Sequence, residues 1–118
     1  MHRLPPDFDA SVFVGSTLET ICFSANTVNL TFDRDLQITI LGTFMYRAGP
    51  NAEPVEAVVP VATSNLMSLA GKVVESAEAH VDSALTIRFA GQHILTLANE
   101  PGPYESYTLQ IKGREIFV

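Results

Sequence analysis

The chain lacks every short motif that would name a chemistry: there is no GxSxG elbow, no phosphate-binding glycine loop, no CxxC pair and no HExxH segment. Hydrolase, nucleotide, dithiol and zincin readings therefore have no specific support. There is one cysteine, Cys22, inside the apolar stretch ETICFS, so no internal disulfide forms and a reducing compartment is permitted. Basic residues are few, seven against thirteen Asp and Glu, and they are scattered; the net charge of −6 argues against nucleic acid and favours a basic partner. No run approaches the roughly 18 apolar residues of a membrane span, and MHRLPPDFD has no apolar stretch of signal-peptide length. The expectation is a soluble cytoplasmic protein that does not engage a membrane. Low-complexity tracts are also missing. With 47 % hydrophobic and 17 % charged residues, the 118-residue chain reads as a single folded domain, residues 1–118, that needs no disulfide or metal to staple it.

What is present is an internal correspondence. The segment from Val14, VGSTLETICFSANTVNLTFDRDLQITI, runs in step with the segment from Ala70, AGKVVESAEAHVDSALTIRFAGQHILTL, with one extra residue near Ser83. Gly15 meets Gly71 and Glu19 meets Glu75, while Val28, Leu30 and Phe32 meet Leu85, Ile87 and Phe89. The apolar positions alternate with polar ones, the period of strands with one buried face. Turn-prone SAN and DRD in the first segment match VDS and AGQ in the second. Each segment therefore predicts a three-stranded meander: 18–23, 28–32 and 36–41, then 73–81, 84–89 and 93–98, within pseudo-repeats 14–42 and 70–99.

Between the meanders, residues 46–59 contain AGPNAEP and read as a loop. The stretch ATSNLMSLAG predicts a helix of about two turns, capped by Thr63 or Ser64, with Leu66, Met67 and Leu69 on its apolar side and Gly71 at its end. A last hairpin occupies 104–118, strands 104–111 and 115–118, with Lys112-Gly113 at its turn. The fold class is mainly β: two pseudo-repeated meanders forming a rolled sheet or small open barrel, with one short helix and a C-terminal hairpin. Exposed sheet edges offer a route to a homodimer.

Glu19, Glu75 and Glu105 sit on the phase of apolar neighbours. Three carboxylates meeting in a cleft would suit acid–base work, whereas a place at strand starts would make them ordinary polar residues, and the second reading is preferred. Tyr104, Glu105 and Tyr107 in YESYTLQI present aromatic area with a polar tip, with Tyr104 the surface candidate and Tyr107 assigned to the core. His80, Asp82 and His93 supply too few ligands for a metal, and Cys22 has no assignable base; no catalytic residue, metal or cofactor is expected. An alternative is a small-ligand pocket between the repeats, lined by Phe23, Phe32 and Phe89.

The duplicated G-x-x-[LV]-E-[TS] starts, Gly15 to Thr20 and Gly71 to Ser76, the phenylalanine-to-aliphatic hairpins and the terminal YESYTLQI and GREIFV resemble a family of small bacterial domains of unknown function. The resemblance covers most of Val14 to Val118 and carries no catalytic residues. The first segment departs from it at DRD, where the family tends to have a glycine turn. It implies a binding role of the immunity type, in which an acidic surface masks a basic toxin. The expected function is thus a non-enzymatic protein-binding module, with Tyr104, Glu105, Tyr107, Glu19 and Glu75 as candidate binding residues.

Overall fold

Apolar–polar alternation becomes strand wherever the sequence sustains it. The computed structural model describes residues 3–59, 65–100 and 105–118. Ten strands follow in order: β1 (Leu18–Phe23), β2 (Val28–Phe32), β3 (Leu36–Ile40), β4 (Thr43–Ala48), β5 (Val55–Val58), β6 (Val74–Ala79), β7 (Leu85–Phe89), β8 (His93–Leu97), β9 (Tyr107–Ile111) and β10 (Arg114–Phe117). They form two antiparallel sheets, β1-β2-β3-β9-β10 and β5-β4-β8-β7-β6, that do not close into a barrel. The fold is mainly β, with each expected meander intact in its own sheet.

Two expectations about the connections need correction. The 46–59 stretch is not a loop: β4 runs to Ala48 and β5 begins at Val55, leaving only 49–54 as the turn. Phe44 and Tyr46 point inward, so this hairpin is held by core burial that outweighs its glycine, prolines and charges. The predicted two-turn helix is a single 3-10 turn, Leu66–Leu69, with Leu66 and Leu69 buried; Thr63 and Ser64 lie outside the described residues. A second 3-10 turn, Ala10–Phe13, was not expected, and its Asp9 cap accepts a hydrogen bond from the Ser11 N–H at 3.0 Å.

The two meanders meet through reciprocal backbone bonds. Gly15 N–H donates to Val74 O and Gly71 N–H donates to Leu18 O, at 2.8 and 2.7 Å; Leu18 N–H donates to Lys72 O and Val74 N–H donates to Ser16 O. A bridge between Thr17 and Val73 lies at the centre of this pattern. Gly15 and Gly71 both have positive φ, +85° and +83°, a conformation that any side chain would strain. Phe32 and Phe89 stack at 6.4 Å across the same centre, and Phe13 packs edge-on to Phe32 at 5.5 Å. One core cluster draws on both sheets, with Leu30, Ile38, Tyr107 and Leu109 from the first and Phe44, Tyr46, Ile87 and Leu95 from the second.

Each meander is extended by a hairpin from elsewhere in the chain. The hairpin β4–β5, which follows the first meander, pairs with β8 in the second sheet. Likewise β9–β10, which follows the second meander, pairs with β3 in the first sheet. Register then fixes which positions correspond: Leu36 with His93, and Leu109 beside Ile38 with Tyr46 beside Leu95.

Candidate functional site

Glu19 and Glu75 occupy β-bulges. On β1 the register passes from Leu18–Phe32 to Thr20–Thr31, and on β6 from Val74–Phe89 to Ser76–Arg88, which leaves each glutamate as the extra residue. A bulge resets the alternation, so Leu18 and Ile21 face inward while both glutamates are exposed. Their apparent core phase came from assuming unbroken alternation. They do not converge: in the antiparallel contact around Thr17 and Val73, Glu19 lies towards Gly71 and Glu75 towards Gly15. Glu105 precedes β9 at the end of the first sheet where Tyr107 meets Ile40, whereas Glu19 lies at the Leu36 end.

Tyr107 is fully buried and donates a 2.6 Å hydrogen bond to Ser83 O. Burial, with a smaller contribution from the Asp82 charge, pushes its phenol far above the ordinary range. It is thus a core residue. Tyr104 lies outside the described residues. His80, Asp82 and His93 are dispersed: His80 Nε2 meets Thr86 Oγ1 at 2.8 Å, Asp82 accepts from Ala84 N–H, and His93 opens β8. Among the described residues no group of three or more potential metal ligands comes together. The thiol of Cys22 is free and exposed. Phe32 and Phe89 fill the space between the meanders, while Phe23 lies at the far end of β1, 39 % exposed; the three do not line one pocket.

Sequence reading missed a polar network on the second sheet. Tyr46, on β4, places its hydroxyl 2.6 Å from Ser68 Oγ and 2.7 Å from His93 Nδ1. Ser68 donates to Asn65 O at 2.9 Å. One proton assignment satisfies every group: His93 Nδ1–H donates to Tyr46, Tyr46 to Ser68 and Ser68 to Asn65. Burial, then the nearby Lys72 charge, lowers the His93 pKa and favours that neutral imidazole; burial raises the Tyr46 pKa, against the opposing effect of Ser68. Part of the signal was present in the internal correspondence, where His93 stands opposite Leu36; Ser68 lies outside the matched segments.

The other missed feature is the outer face of β4–β5. Met45 lies opposite Glu56 on one side and Thr96 on the other. It forms part of a cleft of about 240 Å³ with Phe44, Ala98, Glu56 and Glu100. Met45 and Val58, 42 and 59 % exposed, share this face with Glu56, whereas Val55 pairs with Tyr46 on the core-facing phase and is 53 % exposed because β5 is an edge strand among the described residues. Such a surface suits a long cationic side chain, whose alkyl stem lies on the methionine while its head reaches a carboxylate. No helix among the described residues is long and apolar enough to cross a membrane. No protein-family model, curated protein or solved structure matches the chain.

Proposed function

We propose that the chain is a non-enzymatic protein-binding module for a basic partner, with the β4–β5 corner as its contact surface. The observation that carries this reading is the exposure of Met45 and Val58 on one face with Glu56, where Glu100 also lines the Met45 cleft. Apolar anchors supply contact area, and the carboxylates, in a chain of net charge −6, steer a basic surface towards it. Among the described residues β5 is an edge strand, which adds backbone groups able to pair with a strand of the partner or of a second copy. An immunity-type role in a bacterial cytoplasm, masking the basic site of a toxin, is the biological form of this proposal. Small-ligand binding between the meanders is disfavoured by the stacked Phe32–Phe89 pair.

The test is to capture partners with the tagged protein from a lysate of its source organism, then measure affinity by calorimetry with the purified partner. The expected partner is basic, its affinity falls about tenfold or more between low and moderately high salt, and Met45→Lys or Glu56→Lys weakens binding by a similar factor. Affinity indifferent to both salt and these substitutions would overturn the assignment.

A further inference from the structure

The outer face of the first sheet is almost uncharged. Register aligns Thr20, Thr31, Gln37, Gln110 and Glu115 in one row across the five strands, and Cys22, Asn29, Thr39, Thr108 and Phe117 in the next. Glu115 is the single charge in these two rows, although thirteen carboxylates are distributed over the chain. Two concavities occupy this face. One, about 590 Å³, extends to the β2–β3 turn; the other, about 300 Å³, extends to Leu41 and Glu115; Gln37 and Gln110 line both. Together they form one groove along β3 and β9.

The polar groups of the groove are available. Thr39 donates to Asn29 Oδ1 at 2.7 Å, but among the described residues Thr31, Gln37, Thr108 and Gln110 make no side-chain hydrogen bond. The corresponding positions on the second sheet differ: Ile94 stands for Gln37 and Arg47 for Gln110. Arg47 is turned onto Gly49 O at 3.0 Å, and Arg88, opposite Ile94, lies 3.9 Å from Glu78. Open amides are therefore peculiar to the first sheet rather than a general way of finishing this fold.

The chemistry of the groove selects its occupant. Glutamine amides both donate and accept, as hydroxyls do, so Gln37 and Gln110 match a ligand rich in hydroxyl groups. Phe117, 47 % exposed and directly opposite Thr108, offers an apolar ring at the rim for a C–H surface. Glu19, Asp33 and Asp35 outnumber Arg34 at the outer end, a net negative rim that disfavours an anion.

We propose that the groove along β3 and β9 binds a neutral oligosaccharide, with Gln37 and Gln110 bonding its hydroxyl groups and Phe117 carrying its C–H face. This site is separate from the β4–β5 surface and stands independently of the partner assigned to it. The test is an amide-resolved NMR titration of the intact protein with maltohexaose, cellohexaose, mannohexaose, xylohexaose and chitohexaose. At least one of them shifts amides of β3 and β9 selectively, and Gln37→Ala or Gln110→Ala weakens that binding about fivefold or more without changing Tm. The proposal is overturned by no response to any of them at about 10 mM, by shifts centred elsewhere, by insensitivity to both substitutions, or by equally tight binding of an anionic oligogalacturonate.

Discussion

Arg34 and Asp35 hold positive φ, 65° and 58°, in the three-residue turn between β2 and β3. The corresponding turn between β7 and β8 uses Gly91 and Gln92, at 82° and 62°. Both place two left-handed residues in succession, but only the second gives the first of them to glycine. Arg34→Gly should therefore stabilise the fold by about 1 kcal/mol, a rise of about 4 °C in Tm. Gly91→Ala should cost about as much, because its Cβ would also stand 3.3 Å from His93 Cδ2. Thermal melts decide it; a lower Tm for Arg34→Gly would mean that the guanidinium contact with Val14 O, at 3.5 Å, outweighs the strain. DRD was legible as a turn from composition. The bulges at Glu19 and Glu75 were not, because an inserted residue leaves no mark on residue identity and shows only in the pairing.

At the scale of elements, Tyr46, Ser68 and His93 tie β4, the Leu66–Leu69 turn and β8 together, where the first sheet has Leu109 and Leu36 in place of Tyr46 and His93. The network carries a pH dependence. The imidazole of the unfolded chain takes up its proton near pH 6.5, whereas burial and Lys72 hold folded His93 below that value. Its contribution to stability is thus complete above about pH 6.5 and is lost as pH falls through the folded pKa. Replacing His93 by Leu should cost about 1–2 kcal/mol at pH 7.5 by removing one partner of a hydrogen-bonded pair, and should flatten the decline towards pH 5.5. The triple change Tyr46→Leu, Ser68→Val and His93→Leu should recover stability to within about 1 kcal/mol of wild type, since no polar group is then left without its partner. Urea denaturation at the two pH values measures all three proteins; an unaltered pH slope in the single variant would rule out His93 as its source. Strands of the two meanders were legible because each carries an alternating run. The β4–β5 hairpin was not, because its stability comes from Phe44 and Tyr46 entering a core assembled by distant strands.

At the scale of the molecule, the exchanged hairpins make the two halves interdependent. The first sheet needs β9–β10 from the second half, and the second sheet needs β4–β5 from the first. Chains comprising 1–64 and 65–118 should each fail to fold as monomers, and mixing them should restore a one-to-one complex with β-sheet circular dichroism. A cooperatively folding monomeric half would contradict this, because neither half can cover its own inner sheet face. Amino-acid order alone determined the β class, the meander strands, the Lys112-Gly113 turn and the acidic balance, since alternation, turn chemistry and charge are local properties. Tertiary structure decided which sheet each hairpin joins, where the bulges fall, and which polar side chains meet. The reason is physical: local alternation is compatible with many strand pairings, and only burial of both inner faces in one core selects among them.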